Sequence, residues 1–214
     1  MVDQRKWYGG DVIPQYRVVP GAWPWLMQAL RSEADTELHM VTWGFLPAAQ
    51  EPIDGARPVT EVGIEKARSG RYLRHMWESG RAILPVEGWF EMVDGDPWFV
   101  RLVSGAPMFI AVITNAIGQH PKPQGAGFVI VVSSLASGFA NTRQRRPIGL
   151  PADKALRWLS PSTSADEAER LLQTSSLDDV FFTFHRVDKS IYAGATNDRR
   201  SIAPHPSPSN VGTG

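Results

Sequence analysis

The sequence predicts an α+β domain built on a curved, mainly antiparallel sheet with flanking helices. Three observations predict it. Apolar, β-branched segments follow one another in hairpin succession, helical segments are inserted in blocks instead of alternating with strands, and no GxGxxG or Walker-type glycine loop opens a helix. At 214 residues the chain is long enough for one large core. A chain of this size buries roughly 70% of the surface its unfolded form exposes, so no metal or disulfide staple is required. It contains no cysteine, which excludes disulfides, iron–sulfur clusters, Cys-ligated zinc and a thiol nucleophile.

Taken in order, residues 16–20 (YRVVP) predict a short strand closed by a Pro20-Gly21 turn. Residues 23–30 (WPWLMQAL) are apolar on both faces, which leaves strand and short helix open. Residues 38–46 (LHMVTWGFL) predict a buried strand ending at Pro47, and the prolines and glycine of residues 47–58 predict a loop. In residues 60–80 the spacing of Ile64, Ala67, Tyr72, Met76 and Trp77 turns helical, interrupted at Gly70. Lys66, Arg68, Arg71, Arg74 and His75 form its basic side. Arg71 and Arg74 lie one turn apart and can reach one ligand together, although a solvated helix face explains the same charges.

Residues 82–86 and 88–93 predict two strands, Asp94-Gly95-Asp96-Pro97 a hairpin turn and residues 98–103 the returning strand. Residues 108–114 and 127–133 are further apolar strands joined by a Gly/Pro/Gln-rich loop. Pro151 opens a helix over 154–159, and Ser162 or Ser164 caps another over 166–172. Residues 180–187 predict a late strand. Residues 204–214 (PHPSPSNVGTG) are too polar to bury themselves, so the domain is expected to span 1–203 and a disordered tail 204–214.

Lys plus Arg (22) balance Asp plus Glu (22), so any attraction to a polyanion is local and not a property of the whole field. The 17 Arg against 5 Lys favour planar, bidentate or stacked contacts, a bias that GC-rich codon usage also produces. No apolar stretch follows the N-terminal charges and no run approaches the ~18 apolar residues of a membrane span, so a cytoplasmic protein without a membrane partner is expected. HExxH and GxSxG are missing as well, and neither cofactor nor metal is expected.

Three segments carry chemistry. In residues 81–92 (RAILPVEGWFEM), strand alternation puts Trp89 and Glu91 on one face and Phe90 and Met92 on the other. Desolvation beside a Trp raises a carboxyl group's pKa and suits general acid–base work, a nearby arginine opposes it, and a Glu on the wet face of an edge strand is the plainer reading. In residues 139–147 (FANTRQRRP), Arg143, Arg145 and Arg146 follow an apolar strand, where loop arginines grip phosphates or simply stay solvated. Trp43, in residues 42–47 (TWGFLP), is a base-stacking platform or a core residue. Together these resemble a groove for single-stranded nucleic acid.

At these residues the chain resembles the SRAP proteins (SOS response-associated peptidase-like, also abasic-site processing, proteins). Residues 16–21 (YRVVPG) look like the family's YNVAPG, residues 43–47 (WGFLP) like WGLIP, and residues 81–92 like RCLVPADGWFEW. Residues 60–71 lie at the NARxET segment, and residues 128–159 run like the strand, HDRMP turn and helix that follow. The match covers roughly residues 15–203 in order. The resemblance implies a β-barrel-like core and a positively charged groove for single-stranded DNA. It also implies an N-terminal cysteine that closes a thiazolidine on the aldehyde of an abasic site, assisted by a Glu, an Asn and a His.

This chain departs from that set. Val2 stands at the cysteine position, Glu61 at the Asn, Gly63 at the following Arg, Arg143 at the His, and Met92 at the Trp after GWFE. Val2 offers at best an α-amine and hence a reversible imine, and a guanidinium cannot shuttle a proton as imidazole does. Glu91 alone of the reactive set is kept, with Arg71 and Arg145 among the DNA-contacting arginines. The expected DNA-binding residues are thus Arg71, Arg74, Arg143, Arg145 and Trp43. The expected function is binding of single-stranded or abasic-site DNA without the stable crosslink. The alternatives are an abasic-site lyase or peptidase-like hydrolase using Glu91, and a phage or mobile-element scaffold with a degenerate site.

Overall fold

The computed structural model describes residues 14–29, 36–47, 56–116, 125–133, 145–194 and 197–205, so that Val2, Arg143 and most of the tail lie outside the described residues. The ambiguous stretch after Trp23 is strand β1 (Trp25–Ala29), hairpinned to β2 (Thr36–Met40) with Trp25 opposite Met40. β2 ends at Met40, so the strand expected over 38–46 is corrected. Beyond it the chain keeps only isolated bridges at Trp43 and Phe45, because Gly44 between them adopts φ +120, which breaks a strand's extended run. Residues 16–20 form no strand either. The Tyr16 and Arg17 backbone N–H groups donate to the Asn197 side-chain Oδ1 at 2.8 and 3.0 Å, and a side chain has taken the place of a partner strand.

A short strand, β3 (Glu61–Gly63), leads into two helices, α1 (Ile64–Ser69) and α2 (Arg74–Ser79), split at Gly70 as the spacing predicted. Then come β4 (Arg81–Val86), β5 (Gly88–Val93), β6 (Asp96–Leu102), β7 (Met108–Thr114), β8 (Phe128–Val132) and β9 (Gly149–Leu150). α3 (Ala152–Leu159) and α4 (Ala165–Ser175) follow, the second capped by Ser164, whose side chain accepts from the Glu167 N–H. β10 (Phe182–Arg186), shorter than expected, and α5 (Ser190–Ala193) come next, and a 3-10 turn over Arg199–Ile202 follows them.

The large sheet runs β2-β1-β4-β7-β8-β3, with β9 also on β7. Its pairings are antiparallel except β3 on β8, and it is an open sheet with β2 and β3 at its edges, not a closed barrel. β4, β7 and β8 read as unbroken apolar runs because both faces of the sheet are buried. On one face Ile83, Ile113 and Val131 meet Met76 and Trp77 of α2, Trp158 of α3 and Leu172 of α4. On the other, Ala82, Leu84, Val112 and Phe128 form a second cluster. A separate three-stranded antiparallel sheet, β10-β6-β5, carries the residues with chemical interest.

Arg81 ties these layers together. Its buried guanidinium donates to the carbonyls of Trp77 (3.2 Å), Trp158 (3.0 Å), Ser160 (3.0 Å) and Thr163 (2.6 Å). Those of Trp77, Trp158 and Ser160 lie where α2 and α3 end, the negative poles of both helices, and that of Thr163 lies just ahead of α4, so one cation satisfies acceptors that burial would otherwise leave unpaired.

Candidate functional site

Glu91 reaches its setting through the β5–β6 hairpin. Phe90 turns to the opposite face and packs on Phe99 at 5.2 Å, over Val187 and Ile191, so the period-two alternation fixes which way Glu91 points. Strand register then sets its neighbours. Glu91 lies opposite Trp98, which lies opposite Arg186, and in the next row Trp89, Val100 and Phe184 are aligned. One face of the small sheet therefore presents a carboxylate, two indoles, a phenyl ring and a guanidinium within two rows.

Local contacts orient the carboxylate. The Trp89 Nε1–H donates to Glu91 Oε1 at 2.8 Å, and the Trp89 ring meets Phe182 edge-on at 5.2 Å. Above Phe182 lies the Arg146 guanidinium, 5.2 Å from the ring centre, donating to the Leu177 carbonyl at 3.1 Å and paired with Asp179. Burial pulls the Arg146 pKa down while the carboxylates of Glu91 and Asp178 push it up, which places the cation within the field of Glu91. Half-buried Glu91 can accept hydrogen bonds from a ligand hydroxyl or exchange a proton with it. Arg146 supplies fixed positive charge. No group of three metal-ligating side chains occurs among the described residues.

Arg146 is the site residue that sequence reasoning passed over in favour of its neighbours. The signal was the run RQRRP itself. What selects Arg146 is the bridge of Pro147 to Val132 and the hydrogen bond from the Ser133 N–H to the Arg146 carbonyl, which fix the phase of the chain as it leaves the loop. Arg145 is exposed, and Arg143 lies outside the described residues.

The other expected residues are spread out. Glu61 opens β3 at the edge of the large sheet, opposite Ile130, and is exposed, and no described contact joins it to Glu91. Arg71 is exposed in the turn between α1 and α2 with its guanidinium 5.5 Å from the Tyr72 ring centre. Arg74 is engaged with Glu78 of its own helix at 2.8 Å, a contact that raises its pKa. Trp43 is half-buried, with its Nε1–H on the Thr60 carbonyl at 3.0 Å and its ring nearly parallel to Phe128 at 6.3 Å, an anchored packing position.

The sequence profile of the SOS response associated peptidase (SRAP) family matches residues 3–193. The abasic site processing protein YedK of Escherichia coli is 31% identical over 193 residues, which span 86% of this chain and 82% of YedK. Among solved structures, a protein from Bacteroides thetaiotaomicron superposes with a TM-score of 0.68 at 18% identity, covering 86% of this chain and 82% of that one. A phage-related protein from Bordetella bronchiseptica gives 0.64 at 24% identity, covering 80% and 81%. At those identities the two structures establish the fold.

Proposed function

The chain belongs to the SRAP family, and from that premise we propose that it binds single-stranded or abasic-site DNA in the response to DNA damage without forming a stable covalent crosslink. The observation that carries this reading is Glu91, oriented by Trp89 and set in the field of Arg146, in a chain that contains no cysteine. Ring closure on an aldehyde needs a thiol beside the amine. An amine alone condenses with loss of water, and the imine reopens when water returns. In this reading Glu91 accepts hydrogen bonds from the hydroxyls of the opened sugar, and the exposed Arg71 and Arg145 hold flanking phosphates.

A fluorescent single-stranded oligonucleotide bearing one abasic site tests the proposal. Binding is expected to weaken with salt at a log–log slope of about −0.7 per phosphate neutralised. A denaturing gel of the same mixture, without reductant, is expected to show free protein. Salt-independent or undetectable binding overturns the binding reading, and a band that survives denaturation overturns the non-covalent one. Scission of the strand that disappears in Glu91→Ala assigns lyase chemistry to Glu91 instead.

A further inference from the structure

We propose that the Glu91-bearing face of the small sheet holds the nucleotide beside the lesion, stacking its base on Phe184 and placing its phosphate at Arg186 and Lys189. The inference rests on the DNA-binding reading above and deepens it. Phe184 is 46% exposed although it sits in the row next to Glu91, and its ring is braced edge-on by Trp98 at 5.7 Å. An aromatic ring held this way on a sheet face gives a base a flat partner without a large ordering cost, and every base has a π-face to offer.

Charge at the end of the same face matches a phosphate. Arg186 closes the row Glu91–Trp98–Arg186, and Asp96 receives both Arg186 (3.0 Å) and Lys189 (2.8 Å) on one carboxylate oxygen. Among the described ion pairs these two cations share one carboxylate oxygen, and their side chains are 41% and 63% exposed, within reach of a phosphate. Adjacent strands lie about 4.8 Å apart, so the backbones of Glu91 and Arg186 stand two strand spacings, roughly 10 Å, apart. That span fits one nucleotide with its sugar toward Glu91 and its phosphate toward Arg186. The occupant that satisfies both the ring and the charge is an unpaired nucleotide of a single strand.

The test compares a base-bearing oligonucleotide with an all-spacer strand of the same length that carries the phosphates and no bases. The wild-type chain is expected to bind the base-bearing strand about ten-fold tighter at equal salt. Phe184→Ala should close that gap and leave spacer-strand affinity unchanged. Phe184→Leu, which keeps apolar packing and removes the ring, should do the same, and Phe184→Trp should restore the gap. Lys189→Ala is expected to reduce the salt slope by about 0.7 on both strands. A gap that persists in Phe184→Ala and Phe184→Leu overturns the stacking assignment while DNA binding stands. Equal wild-type affinity for the two strands does so as well, and failure to bind either strand overturns both readings.

Discussion

Arg81 and Glu91 open their strands' chemistry in opposite ways. Arg81 begins β4 as a buried cation surrounded by carbonyls, and burial lowers its pKa against the pull of Glu167. Replacing it leaves four carbonyls facing an apolar side chain, each worth about 1–3 kcal/mol of lost pairing and not simply additive. Arg81→Met is therefore expected to cost more than about 3 kcal/mol, read as a shift of the urea midpoint. Arg81→Lys should recover less than half, because an ammonium cannot fork toward acceptors on two helices. An unchanged midpoint in the Met variant would remove the guanidinium from the account of the core. Nothing in the sequence distinguishes this arginine from a solvated one. Its burial follows from the ends of α2 and α3 converging on it, a contact between residues 77 to 82 positions apart.

At the scale of elements, the β5–β6 hairpin delivers the site. Asp94 and Gly95 connect the strands with φ +51 and +79, both left-handed, as a tight turn matched to the twist of its strands requires. A Cβ added at Gly95 meets nothing within 4 Å, so Gly95→Ala isolates the backbone cost. It is expected to lower stability by about 1 kcal/mol, measured by thermal melting, with DNA affinity in the cold unchanged because the register of Glu91 against Trp98 survives. A fully wild-type melt would show that the turn relaxes into another form. This hairpin was legible in the sequence because an Asp-Gly pair between apolar strands acts locally. The end of β2 was not, since the bend at Gly44 is held by long-range partners: the Gly44 N–H donates to the Phe128 carbonyl, and a Cβ on Gly127 would sit 1.9 Å from the Gly44 carbonyl.

The whole molecule carries no net charge, yet four carboxylates, those of Asp96, Glu167, Asp188 and Asp198, are favoured in the ionised form by specific partners. Lys189 lowers the pKa of Asp96, the Ser190 N–H that of Asp188, Arg157 that of Glu167 and Arg200 that of Asp198. A folded-state pKa below the unfolded value contributes stability that is complete above the unfolded pKa, about 4, and is lost as pH falls through the folded value. Melting temperature is therefore expected to stay level from neutrality to about pH 4.5 and to fall below it, with a shallower fall in Asp96→Asn. A decline that begins above about pH 5.5 would point to histidines instead. Among the described residues no helix is long and apolar enough to cross a membrane. The sequence by itself determined the helices around Gly70, the DG hairpin, the face on which Glu91 stands and the lack of any thiol, because backbone period, turn sterics and composition act within a few residues. Only the tertiary structure decided that Arg146 and not Arg145 stands over Phe182, that Arg81 is buried, and that Asn197 holds residues 16 and 17 from 181 and 180 positions away. Each of these depends on which distant segments pair, and pairing is set by the free energy of the whole packed core, which no local pattern encodes.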